Sequence, residues 1–288
     1  MRGMAMLARG PHDTHGDPSK YGVAMILRML AALRPVKRPL VGLLRALNGL
    51  LRRLVVATHM AEHVAQWKIP PEPDWANHHH DIYWAWPTRG TSFFVERGIF
   101  NLLVIGDGAT VLDICCGDGF NSRYFYAERA SSVLAVDVNA DAIRYARRFN
   151  AASNVVHRQL DILTEFPSGR FSNVVWDAAI EHFSHDDAVA VLENAKAALA
   201  ERGVISGYTL IEQPSHSGDY FQHHDQVFRR KEDLLNLVGR VFSNVAVLET
   251  QHATRTNLYF WASEHPNRLP VTTGYANVAS ITTGTKHS

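Results

Sequence analysis

The sequence predicts an open α/β fold, a mostly parallel β-sheet covered by helices on both faces. Three observations predict it. Between residues 110 and 263, short apolar runs rich in β-branched residues alternate with segments of helical spacing. The first run, Val111-Leu-Asp-Ile114, breaks into the turn Cys115-Cys-Gly-Asp-Gly119 before a helical segment. The next run, Ser132-Val-Leu-Ala-Val-Asp137, ends in a carboxylate 24 residues after Asp113.

Taken in order, the strands fall at 110–115, 132–137, 154–159, 172–180, 204–211, 242–249 and 256–263, which makes seven. Helical spacing places helices at 119–129, 139–150, 185–201 and 229–240, with another near 92–104. The last two strands are separated by the short polar connection Thr250–Arg255 and should pair as a hairpin. No internal repeat or low-complexity block interrupts the pattern.

Residues 1–20, rich in Gly, His, Pro and Asp, read as disordered, and 265–288, rich in Thr, Gly, Ser and Asn, as a flexible tail. The domain between them and the extension occupies 67–264. Residues 21–66 form a separate helical extension with no acidic residue between Pro18 and Ala61. Leu40, Leu43, Leu44, Leu47, Leu51 and Leu54 recur at helical spacing, with Arg45, Asn48 and Arg52 opposite. Pro35 and Pro39 are expected to split this stretch into two helices. No apolar run reaches the ~20 residues of a bilayer span, and arginine interrupts the first run, which speaks against a cleavable signal. Two readings stand: the leucine face packs on the following domain, or 21–58 lies on an anionic membrane surface as a peripheral contact.

At 288 residues, the chain can bury one full core with extensions. A formal net charge of +1, without a long basic groove or interleaved aromatic and basic residues, predicts no nucleic-acid partner. The only cysteines, Cys115 and Cys116, are adjacent, so neither a disulfide framework nor a zinc site is implied. A reducing compartment follows. The expected location is the cytoplasm, or the inner face of the membrane if the basic extension binds lipid.

The turn carries the chemistry. Gly117 and Gly119 allow positive φ and let a ligand approach bare backbone, and the following helix starts with unpaired N–H groups. A carboxylate ending the second strand suits a ribose diol, and Asp137 stands there. A dinucleotide usually wants glycine or alanine at the place held by Ser122, and its pyrophosphate is a poor guest beside Asp113 and Asp118. Those carboxylates suit a cationic ligand with an amino acid tail, as adenosylmethionine has.

On these residues, the stretch from about 83 to 263 resembles the class I S-adenosylmethionine-dependent methyltransferases, with a Rossmann-like fold. Val111–Gly119 resembles the family's first motif, with Cys115 where its first glycine usually sits. Asp137 matches the ribose-binding acid, and Asp161-Ile162 looks like the pair that holds the adenine. Val174–His182 is similar to the fourth-strand motif, which often ends in Glu-His. The resemblance implies strand order 3-2-1-4-5-7-6 with the seventh antiparallel, and S-adenosyl-L-methionine as cofactor. The expected cofactor residues are Asp113, Cys115, Gly117, Gly119, Asp137, Asp161, Ile162 and Asp177, gathered at the carboxyl ends of the strands where their order reverses.

For the chemical step, His182 is the first candidate base, with Glu181 orienting it or contacting the acceptor; the pair could instead cap the helix near Ser184. His223 and His224, in Tyr220–Phe228 after the fifth strand, are a second candidate. The histidine run within Asn77–Asp81 lacks metal-ligand spacing, so no metal is expected. Tyr83-Trp-Ala-Trp86, followed by Arg89-Gly90 and Glu96-Arg97-Gly98, precedes the first strand, a region that in the resembled family often caps the cofactor and shapes the acceptor pocket.

The resulting expectation is a methyltransferase acting on a small-molecule or glycan acceptor, with a sugar hydroxyl favoured. An N-methyltransferase of a small amine, or a non-catalytic protein binding an adenosyl ligand or a membrane surface, are the alternatives.

Overall fold

The computed structural model describes residues 37–67, 93–211, 225–252, 255–270 and 279–285. The chain divides into two compact units, Met1–His80 and Asp81–Ser288.

Within the described part of the first unit, α1 (Lys37–Trp67) is one continuous helix. The expected division into two helices around Pro35 and Pro39 reaches into residues outside those described; the described helix begins at Lys37 and runs on past Pro39. That residue lies in the first turn, where a backbone N–H has no helical partner to lose. Pro35 and the rest of 1–36 lie outside the described residues. No described helix is long and apolar enough to cross a membrane.

The second unit runs α2 (Phe93–Leu102), β1 (Thr110–Ile114), α3 (Phe120–Tyr124), β2 (Ser132–Asp137), α4 (Ala140–Phe149), β3 (Val155–Gln159) and β4 (Phe171–Asp177). It continues through α5 (His185–Ala198), β5 (Leu199–Ile211), α6 (Lys231–Gly239), β6 (Asn244–His252), β7 (Arg255–Ser263) and β8 (Ala279–Thr285). The sheet order is β3-β2-β1-β4-β5-β7-β6-β8. β1 to β5 pair in parallel, whereas β7 is antiparallel to both β5 and β6. The first seven strands follow the expected Rossmann-like order. The eighth was not expected: part of the tail read as flexible pairs antiparallel with β6 from Asn244↔Thr285 to Thr250↔Ala279. It covers backbone donors and acceptors that would otherwise form an open edge.

Strand alternation sorts the core. Leu112 and Ile114 of β1, with Val174 and Trp176 of β4, face a cluster completed by Val191 and Leu234 of α5 and α6. Val111 and Val175 face the other side, with Ile105, Tyr126 and Val133. By the same period of two, Asp113 and Asp177 share this second face.

Several boundaries moved for visible reasons. β4 stops at Asp177 because Ala178 takes a positive φ of 53°. The segment expected as helix 119–129 is α3 followed by a 3-10 turn, Tyr126–Glu128; the break at Phe125 turns Tyr126 fully into the core, where its hydroxyl accepts from Asn101 Nδ2 at 3.0 Å. α5 ends at Ala198 because Leu199 pairs with Phe171, ahead of a register shift to Asn173↔Val204.

Candidate active site

The chain leaves β1 toward β2 and β3 and then returns across β1 to β4, so strand order reverses between β1 and β4. A crevice opens at the carboxyl ends of these strands, as open α/β sheets require. Two cavities adjoin there, of about 370 and about 580 Å³, and Cys115, Gly117 and Ala178 line both.

The backbone at this junction is left-handed. Cys115 has φ 58°, Gly117 56° and Gly119 74°, and Ala178 across the crevice has 53°. Cys115 and Ala178 hold this conformation against the Cβ clash that makes it uncommon outside glycine. The two glycines serve different ends. A Cβ on Gly119 would lie 2.5 Å from His157 Nε2 and 3.0 Å from Ala146 Cβ, whereas one on Gly117 would meet nothing within 4 Å. Gly119 is fixed by packing, and Gly117 leaves open space.

The smaller cavity is lined by Asp137, Leu160, Asp161, Ile162, His182 and Phe183, among others. Asp137 is oriented by two backbone donors: Gly117 N–H to Oδ2 at 2.9 Å and Asn139 N–H to Oδ1 at 2.8 Å. Each carboxylate oxygen keeps a further lone pair. Asp161 accepts from Leu163 N–H through Oδ1 at 3.0 Å, which starts the turn after β3 and leaves buried Ile162 against the cavity.

The larger cavity is lined by Asp113, Asp118, Asn121, Asp177 and Arg97 of α2. Arg97 donates to Asp177 Oδ2 from Nε at 2.8 Å and from Nη2 at 2.5 Å, and Asn121 Nδ2 adds a third bond to the same oxygen at 2.8 Å. Asp177 Oδ1 is buried without a hydrogen-bond partner. Burial opposes the Arg97 charge, but Asp177 outweighs it and holds the guanidinium protonated. Asp113 is buried and accepts from Ser122 Oγ. Burial pushes its carboxyl up to about 7, against the pull of Ser122. Burial also pushes the Cys115 thiol up to about 12 and raises Cys116, so both stay protonated.

Asp118 takes a more local part than its sequence position suggests: its Oδ1 accepts from Phe120 N–H at 3.1 Å. One of the N–H groups expected to be open at the helix start is therefore already bonded.

Glu181 and His182 belong to a 3-10 turn, Ile180–His182, directly after Ala178 and Ala179. They do not cap α5; Ser184 does, accepting from Asp187 N–H at 3.2 Å. Glu181 is buried, accepts from Thr209 Oγ1 at 3.0 Å, and has its pKa raised by burial. His182 is exposed and lines the smaller cavity. His223, His224, Asn77–Asp81 and Tyr83–Trp86 lie outside the described residues. Among the described residues, no group of three His, Cys, Asp or Glu side chains is placed to hold a metal ion.

Arg97 and Asn121 are the participants that sequence reading did not single out as site residues. A signal existed for Arg97. Glu96 and Arg97 sit side by side in the mostly apolar helix Phe93–Leu102, so one of them at least was bound to need a buried partner. Both found one: Tyr259 Oη donates to Glu96 Oε2 at 2.9 Å.

This arrangement fits an adenosyl ligand with an amino acid tail. The smaller cavity joins an oriented carboxylate to an apolar wall; the larger carries carboxylates and an unpartnered buried oxygen; open backbone at Gly117 connects them.

Comparison with known proteins agrees. Residues 111–203 match the model of the methyltransferase domain family. The fold is shared with N-methyltransferase NodS from Bradyrhizobium japonicum WM9, itself determined with S-adenosyl-L-homocysteine, at 17% identity and a TM-score of 0.50, over 62% of this chain and 92% of that one. It is shared equally with a chain of the complex between the Haloferax volcanii Trm112 methyltransferase activator and a methyltransferase, at 15% identity and a TM-score of 0.50, over 63% of this chain and 97% of that one. No curated protein matches the chain significantly. The second unit thus has the fold of these methyltransferases, and the match to the methyltransferase domain model lies within it, at residues 111–203.

Proposed function

We propose that this methyltransferase alkylates a hydroxyl group of a small molecule or glycan, with His182 as the general base. The observation that carries this reading is the division of labour within the Glu-His pair. The carboxylate of Glu181 is turned inward onto Thr209, while the imidazole of His182 lies exposed beside the cavity that Asp137 and Ile162 line.

In this reading Asp137 accepts from the ribose hydroxyls, Asp161 and Ile162 border the adenine, and Asp113 and Asp118 face the ammonium of the tail. Arg97 and Asn121 hold Asp177 at the floor of the same cavity. S-adenosylmethionine supplies an activated methyl group on a sulfonium. The protein supplies proximity and alignment of the acceptor, and His182 takes the hydroxyl proton as the new C–O bond forms and the S–CH3 bond breaks, its electron pair leaving with the neutral thioether S-adenosylhomocysteine. A sugar or other neutral hydroxyl is favoured over nucleic acid because the chain carries a net charge of only +1.

The test is turnover of His182→Ala on candidate acceptors, with cofactor affinity measured alongside. Loss of a general base depresses turnover by roughly 10²–10⁴-fold, with cofactor affinity little changed. Full activity of His182→Ala on a hydroxyl acceptor overturns the assignment. A modest loss that recovers at high pH, where an amine deprotonates unaided, points to N-methylation instead.

A further inference from the structure

We propose that α1 is a membrane-surface helix that lays its leucine face on an anionic bilayer. Along Lys37–Trp67, Leu40, Leu44, Leu47, Leu51 and Leu54 fall on one stripe, widened by Leu43, Leu50 and Val55. These side chains are not buried: Leu43 is 66% exposed, Leu50 54% and Leu54 52%, with Leu47, Leu51 and Val55 exposed as well. A continuous apolar strip of this kind calls for an occupant.

Charge decides which one. Arg45 and Arg52, seven residues apart, fall on the side away from the leucines, and the sequence adds Lys37, Arg38 and Arg53 to the same helix. The first acid in the helix is Glu62, well past the leucine stripe. A second copy pairing through the leucine face would leave these positive charges on the outside, where they add nothing to the contact. An anionic lipid surface offers the opposite arrangement: the apolar face enters the acyl boundary while arginines reach headgroup phosphates. A span is ruled out for α1 by its low apolar content, so the helix lies in the plane of the surface.

The test uses the full chain and sedimentation with vesicles of phosphatidylcholine alone or mixed with phosphatidylglycerol. Wild type is expected to sediment with the anionic vesicles only, and less as salt rises. Arg52→Gln/Arg53→Gln should weaken that binding by roughly fivefold for each charge removed. Leu47→Glu/Leu51→Glu should abolish it, with the thermal unfolding of the methyltransferase domain and its affinity for S-adenosylmethionine unchanged. Equal sedimentation with both vesicle types, or with neither, overturns the proposal. So does a Leu47→Glu/Leu51→Glu protein whose methyltransferase domain is destabilised, because the leucines would then be packing on that domain. A wild-type dimer that ignores vesicles and becomes monomeric in that variant assigns the face to a second copy.

Discussion

Arg97 and Asp177 stand 80 residues apart in sequence and meet through two hydrogen bonds to a single carboxylate oxygen. The guanidinium comes from α2 and the carboxylate from the end of β4, so this pair ties the helix ahead of the sheet to the strand end that borders the crevice. Its side chains are 14% and 6% exposed, well out of reach of full solvent screening.

Removal of one partner from such a pair leaves a buried charge uncompensated, at a cost of about 3–5 kcal/mol. Arg97→Ala should therefore lower unfolding free energy by an amount in that range, measured by urea denaturation. Combining it with Asp177→Asn should recover part of the loss, since the orphaned charge is then gone. Independent, additive losses in the double variant would show that the two side chains are not coupled.

Asp137→Ala should weaken binding of S-adenosylmethionine and of its demethylated product by about 1.5–3 kcal/mol, as expected for hydrogen bonds to a charged group. The same carboxylate also accepts from Gly117 and Asn139 N–H. Some loosening of the turn should accompany the loss, visible as faster hydrogen exchange at those two amides. Unchanged calorimetric affinity would remove Asp137 from the site.

Gly117→Ala and Gly119→Ala separate binding from folding. Both positions have positive φ, so each carries a strain of about 1–2 kcal/mol. Only Gly119→Ala also collides with His157 and Ala146. Its midpoint in denaturant should fall furthest. Gly117→Ala should stay near native stability beyond that strain but lose cofactor affinity, because its new methyl group occupies open space beside the crevice.

Asp113 makes stability depend on pH. Its folded pKa of about 7 lies above the ordinary 3.8, so between these values the folded state keeps a proton that the unfolded state has lost. Stability of the ligand-free protein should fall as pH rises through that window, with a slope from this group of at most about 1.4 kcal/mol per pH unit. Glu181, raised by burial, adds a slope of the same sign, so Asp113→Asn should flatten the profile without levelling it. A ligand ammonium favours the ionised carboxylate, so S-adenosylmethionine affinity should rise from pH 6 to pH 8 in wild type and less in Asp113→Asn. Identical profiles for the two proteins would show that Asp113 does not titrate there.

The sequence by itself determined the α/β alternation, the sheet order of the first seven strands through the family resemblance, and the acids and glycines around the β1 turn. These are local signals: hydrophobic period, β-branched runs and residues that permit positive φ all act within a few positions. Tertiary structure decided what depends on distant partners. It brought Arg97 to Asp177, turned Glu181 inward onto Thr209 while His182 stayed outside, and recruited Ala279–Thr285 as an edge strand. The physical reason is common to all three. A buried charge or an open strand edge must find a partner once water is excluded, and that partner is set by which elements the sheet places side by side, not by the residues that flank it in the chain.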